Sequence, residues 1–155
     1  MECDFFMKRF FCCLLVVLII LTSCDESPSQ HKSAEMLLHE IMEEFSIEDG
    51  YVYSDEMGAA QPLTDVMLER IFFGAMLDDL RYAKSVAVYF SRRFSEQEIV
   101  IIQLYDIAHR KTIMALLNKR AEKKENAIVS SQGNYVYLIC TDKNSDILSA
   151  LREKT

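Results

Sequence analysis

SVAVYF (Ser85 to Phe90) and EIVIIQLY (Glu98 to Tyr105) concentrate the β-branched and aromatic residues of the chain, and their reading decides the fold. Such residues fit a pleated, packed surface, so both stretches are read as strands. The polar turn Ser91 to Gln97 between them is too short for a crossover, which leaves an antiparallel pair. EIVIIQLY is apolar enough to lie centrally in a sheet.

Working outward, Asp106 is placed to cap a long helix reaching about Glu125. Its apolar stripe reads Ile107, Ile113, Met114, Leu117 and Ala121, with Lys111, Lys119 and Lys123 on the other side. A third strand, Ala127 to Ser131, turns through Gln132-Gly133 into a fourth, Asn134 to Thr141; Gly133 supplies the positive φ of a tight hairpin. A closing helix, about Ser145 to Glu153, buries Ile147, Leu148 and Leu151. Upstream, Ser33 is a suitable N-cap for a helix from about Ala34 to Phe45. That helix carries Leu37, Leu38, Ile41, Met42 and Phe45 on one face and Glu35, His39, Glu40, Glu43 and Glu44 on the other. Ser46 to Pro62 reads as loop with at most one short edge strand at Tyr51 to Tyr53. A short helix follows from Asp65 to Phe73, capped by Thr64 and stopped by Gly74. Asp78 and Asp79 read as a helix start or turn. The expected architecture is α+β: a four-stranded, mainly antiparallel sheet in β-β-α-β-β-α order with helices on one face, preceded by an N-terminal amphipathic helix.

The first 24 residues follow a different logic. Lys8 and Arg9 precede a 12-residue apolar run, Phe10 to Leu21, short of the roughly 20 residues a membrane-crossing helix needs. A basic start, a short apolar core and small residues behind it make a cleaved secretion signal. The competing readings, an uncleaved signal anchor and a buried core helix, fit the position of Cys24 and the charge pattern less well. Leu21-Thr22-Ser23-Cys24 resembles the lipobox of bacterial lipoproteins. That resemblance implies a diacylglyceryl group on the Cys24 sulfur and cleavage between Ser23 and Cys24. Two acyl chains give a stable anchor where one gives only marginal binding. The expected organisation is a signal peptide at 1–23, with either Met1 or Met7 as its start, then the lipidated cysteine and a polar tether at 24–33. A single domain follows at 34–155. The mature protein is expected on the extracytoplasmic face of the cell membrane, held by lipid.

Of the 155 residues, 132 remain after removal of 1–23, enough for one core. Among the five cysteines, Cys3, Cys12 and Cys13 leave with the signal and Cys24 is consumed by lipid. Cys140 is then the one remaining thiol, so an internal disulfide cannot form, and its apolar setting marks a buried hydrophobe. Charge is uneven: net −12 from Asp25 to Asp79 and +5 from Leu80 to Thr155, within a total of −7. Solvated faces that partly neutralise each other inside one fold explain this, and an acidic domain outside the cytoplasm is not expected to bind nucleic acid.

The segment Glu98 to Asp106, the helix carrying Leu116, Leu117 and Arg120, Asn126-Ala-Ile-Val129 and Gly133-Asn-Tyr-Val-Tyr-Leu-Ile-Cys-Thr-Asp142 together resemble a family of small lipoproteins from Gram-positive anaerobes. The family is defined by a lipobox and a C-terminal domain of unknown function. The resemblance spans roughly positions 60 to 153. It implies no catalytic residues.

Function is read in two ways. A non-enzymatic, surface-tethered binding or interaction module, with an envelope protein as a candidate partner, follows from the anchor and from the lack of a nucleophile-base pair, metal cluster or phosphate loop. The alternative is an envelope enzyme whose site gathers scattered carboxylates and His109. No cofactor is expected. His39 with Glu35 and Glu43 has metal-ligand spacing, but a solvated acidic helix face accounts for all three. A solute-binding protein for a transporter would ordinarily be two-lobed and larger.

Overall fold

The computed structural model describes residues 32–72, 77–92 and 97–155. The signal, Cys24 and most of the tether lie outside them, as do Phe73, Gly74 and the middle of the Ser91 to Gln97 turn. The fold is α+β. Its sheet has five strands, β1 (Gly50–Ser54), β2 (Ala83–Ser91), β3 (Glu98–Leu104), β4 (Ile128–Gln132) and β5 (Tyr135–Cys140). They lie in the order β1-β2-β3-β5-β4, antiparallel throughout. Helices are α1 (Ala34–Glu44), α2 (Asp65–Phe72), the single turn α3 (Leu77–Leu80), α4 (Arg110–Ala121) and α5 (Asn144–Lys154). A 3-10 turn, Ile107–His109, precedes α4.

Two parts of the expected architecture are corrected. The sheet has five strands rather than four, because Tyr51 to Tyr53 belong to a full strand registered from Gly50 opposite Ser91 to Ser54 opposite Ala87. Gly50 permits that pairing at its start, since a Cβ there would lie 2.3 Å from the Phe90 carbonyl oxygen and from the Tyr89 ring. Helices cover both faces rather than one. Val86, Val88, Phe90, Val100, Ile102, Leu104, Val136 and Leu138 pack against α2 and α4 through Ile71, Phe72, Ile113, Leu116 and Leu117. The opposite parity, Ala87, Tyr89, Ile99, Ile101, Tyr137 and Ile139, packs against α1 and α5 through Leu37, Leu38, Ile41, Ile147 and Leu151. The reason is visible in β3, where every residue is buried: a strand without polar alternation must be covered on both sides.

Caps are where the residues place them. Ser33 accepts a hydrogen bond from the Met36 amide, Asp106 accepts from the Ala108 amide, and Gly133 has φ +53° in the β4–β5 turn. Ile107 departs from its expected place in the buried stripe of the long helix. The 3-10 turn shifts its phase and leaves it 59% exposed, while Leu116 takes a core position. The acidic and basic halves of the chain interleave. Glu44 pairs with Lys154 at 3.0 Å and Asp49 with Arg92 at 2.7 Å, while Glu40, 2.6 Å from Lys32 of its own half, also lies 3.9 Å from Lys154.

The antiparallel order gives the domain two poles. At the entry pole, β1, β3 and β4 end while β2, β5, α1, α2 and α4 begin. A buried, uncharged network fixes the incoming chain there. The Ala34 amide donates to Ser85 Oγ (2.9 Å), Ser85 Oγ to Gln103 Oε1 (3.3 Å), Gln103 Nε2 to the Tyr135 hydroxyl (3.2 Å), and that hydroxyl to the Lys32 carbonyl (2.5 Å). At the far pole, β2 and β5 end, β3 begins and α4 ends.

Candidate functional site

Glu98 is the first residue of β3 and shares the parity of Val100, Ile102 and Leu104, which points it into the core. It is 0% exposed. An unpaired carboxylate there would be very costly, and two cations answer it. Arg120, in the last turn of α4, makes a bidentate contact: Nε to Oε1 at 3.0 Å and Nη2 to Oε2 at 2.8 Å. Lys124, just beyond the helix and 7% exposed at its side chain, reaches Oε2 at 2.7 Å. One carboxylate against two cations leaves this cluster with an excess positive charge. Cys140 lies opposite Glu98 across β3 and β5; burial pushes its thiol pKa up, and Glu98 adds to that while Lys124 opposes it. The thiol is therefore held protonated and unreactive at neutral pH.

The outer face of Arg120 forms one wall of a cavity of about 480 Å³ lined by Tyr53, Met67, Arg70, Ile71, Phe90 and Arg120. Tyr53 on β1 and Phe90 on β2 meet edge to face, with ring centroids 6.1 Å apart. The Arg120 guanidinium carbon sits 5.9 Å from the centre of the Phe90 ring, and its Nη1 faces the Ile71 carbonyl at 3.5 Å. Arg70 stands exposed at the end of α2. Among the described residues the lining therefore holds two guanidinium groups with aromatic and aliphatic side chains, and no histidine, cysteine or carboxylate. A second far-pole cavity, about 520 Å³, lies on the other face of the sheet between the α1–β1 loop, the end of β2 and the β5–α5 turn. Its charges are largely spent: Arg92 pairs with Asp49, Lys143 Nζ donates to the Phe45 carbonyl, and Gln97 Nε2 approaches Asp142 at 3.4 Å.

The sequence candidates fall elsewhere. Ser23 and Cys24, the expected cleavage and lipidation residues, lie outside the described residues. His109 is at the entry pole with its ring flat on Tyr82, centroids 3.5 Å apart and planes 7° from parallel. It is thus at the opposite end of the sheet from both far-pole cavities. His39 lies on the exposed side of α1, 3.6 Å from Glu35, and the described residues hold no group of three metal-ligating side chains. Asp78 lies in the α3 turn. Among the described residues no helix is long and apolar enough to cross a membrane. No sequence motif marks Glu98, Lys124 or Arg70 as site residues. The available signal was the acid at a core-facing parity in Glu98-Ile-Val-Ile-Ile, which requires buried cations from elsewhere in the chain. No protein-family model, curated protein or solved structure matches this chain.

Proposed function

We propose that this protein is a lipid-anchored lipoprotein on the outer face of the cell membrane, of the small kind its lipobox and C-terminal segments resemble. It acts by binding rather than by catalysis. The observation that carries the binding reading is the far-pole cavity of Tyr53, Phe90, Arg70 and Arg120. Guanidinium groups at neutral pH bind anions but neither take up nor release protons, and the rings and Met67 favour an apolar body. The cavity suits a carboxylate carried on an apolar group, such as a small aromatic or aliphatic acid or the C-terminus of an apolar peptide from an envelope partner. Arg120 is held by Glu98, so it presents its charge in a fixed direction, while Arg70 is the adjustable member.

The test is calorimetric titration of the full lipidated protein in a neutral detergent with phenylbutyrate, and with phenylbutyramide as the uncharged counterpart. Binding of the acid, none of the amide, and loss of acid binding in Arg70→Met is the expected result. Equal binding of both probes, or an unchanged titration in Arg70→Met, would remove this reading.

A further inference from the structure

We propose that the entry pole is a membrane-docking face, which seats the domain on the bilayer that carries its anchor; this rests on the lipid-anchored reading of Cys24. Three independent observations lead there.

The first is where apolar surface is left open. Six large hydrophobic side chains are exposed among the described residues, and five are at the entry pole: Tyr105 (72%), Ile107 (59%), Met36 (54%), Met57 (103%) and, in the first turn of α2, Val66 (58%). Tyr105 and Ile107 follow the end of β3, Met36 lies in the first turn of α1, and Met57 follows the end of β1. Isolated exposed apolar residues mean little, but their gathering on one rim marks an interaction surface.

The second is where the chain leaves. Lys32 is fixed to this pole through Tyr135, and Ala34 through Ser85. From Cys24 to Lys32 is eight residues, which span at most about 28 Å at roughly 3.5 Å each. An anchor at Cys24 therefore holds this rim close to the headgroups. The far pole lies farther along the sheet by the nine residues of β2, about 30 Å at 3.3 Å per residue.

The third is the chemistry of the rim. Tyrosine is the side chain suited to the membrane-water boundary, with an apolar ring and a polar tip. Around Tyr105 and Ile107 stand Arg81, Lys84 and Lys111, with the Arg81 guanidinium 4.9 Å over the Tyr82 ring that also stacks on His109, while Arg110 spends its Nη2 on the Gly133 carbonyl. Glu35, Asp55 and Glu56 occupy the β1 edge of the pole, and Asp78 and Asp106 accompany the cations; Asp106 spends its carboxylate on the Ala108 amide. The pole thus meets the membrane with its β3 side, Tyr105 and Ile107 entering the interface and Arg81, Lys84 and Lys111 facing lipid phosphates. The two methionines extend the apolar rim. The acidic residues of the pole, Glu35, Asp55 and Glu56, lie at its β1 edge, two strands from the β3 side that carries the cations.

The chain contains no tryptophan, so a single one can report position. The full lipidated protein, carrying either Ile107→Trp or Tyr51→Trp, is reconstituted in vesicles of phosphatidylcholine and phosphatidylglycerol with and without brominated acyl chains. Bromolipid quenching is expected to be severalfold stronger for Ile107→Trp than for Tyr51→Trp at the far pole. It should also weaken in vesicles lacking phosphatidylglycerol or when Arg81→Glu and Lys111→Glu are added. Tyr105→Trp is a second reporter in case the first perturbs the turn. Equal quenching at the two poles would overturn the proposal. A blue-shifted Ile107→Trp emission without quenching would also overturn it, assigning the rim to a protein partner or a second copy. Acylation of Cys24, read by mass on the same sample, separates the two claims. Unmodified Cys24 removes the anchored reading and the docking face with it; acylated Cys24 with unquenched tryptophan removes the docking face alone.

Discussion

The two ends of β3 solve the same problem in opposite ways. At the entry pole Gln103, 1% exposed, is satisfied by uncharged neighbours, Ser85 and Tyr135, and the network holds the incoming chain in place. At the far pole Glu98, 0% exposed, is satisfied by two cations, and the result is a fixed guanidinium lining a cavity. Neutral hydrogen bonds fasten without leaving residual charge. A buried carboxylate with two cations leaves a positive charge directed outward, at the price of fragility, because a buried ion pair is costly to break even where it adds little net stability. One pole fastens the incoming chain, and the other directs a positive charge into a cavity.

Replacing the buried polar residue at each end tests that contrast most strongly. Glu98→Gln leaves Lys124 and Arg120 without their counter-charge, and should lower unfolding free energy by about 3–5 kcal/mol, measured by urea unfolding of the lipidated protein in neutral detergent. Gln103→Leu removes two hydrogen bonds but leaves no buried charge, and should cost about 1–3 kcal/mol. It should also loosen Lys32 to Ala34, read as faster proteolytic nicking there. A larger loss for Gln103→Leu than for Glu98→Gln would break the comparison.

Two smaller effects sharpen it through pH. Burial pushes the Tyr137 phenol up to about 12, from an ordinary 10.0, while its hydroxyl contacts Thr155 Oγ1 at 2.7 Å. The unfolded chain ionises first, so the stability contributed by the neutral phenol is complete below pH 10 and lost progressively toward 12. Tyr137→Phe should flatten that part of the alkaline stability curve, with a residual slope from Tyr89 and Tyr135, whose phenols burial also raises. Asp55 is the smallest case. Burial raises its carboxyl pKa, although Asp55 Oδ1 accepts from the Val86 amide at 2.7 Å. The native state then takes up a proton at higher pH than the unfolded one, and the ionised form costs stability as pH rises through the raised value. Asp55→Asn keeps the acceptor and removes the charge. It should match the parent protein well below pH 3.8, the ordinary carboxylate value, and slightly exceed it in thermal stability at neutral pH.

Much of the fold was legible because local signals agreed with it. Ser33 and Asp106 cap where side-chain chemistry places them, Gly133 turns the hairpin, and β2, β3 and β5 are evident from β-branched content. What escaped was decided by long-range packing. The unbroken apolar run of β3 announces a two-sided strand, but a single sequence does not say which helix covers which face. α1 and α5 thus pair on one face across more than 100 residues of chain. Tyr51 to Tyr53 become a strand because β2 offers them an edge, not because a five-residue stretch with little buried apolar surface insists on it. The cavity was less legible still. Tyr53, Arg70, Phe90 and Arg120 come from four separate elements, and only the misplaced acid at Glu98 hints that cations converge there.

The central claim, that a lipid on Cys24 holds this domain outside the cell, is tested most directly by intact mass of the protein recovered from its native membrane, beside Cys24→Ala. The account predicts a chain beginning at Cys24 and carrying acyl mass, with Cys24→Ala accumulating as the longer, unmodified precursor. Recovery of the full 155-residue chain, unacylated and in the cytosol, would contradict it.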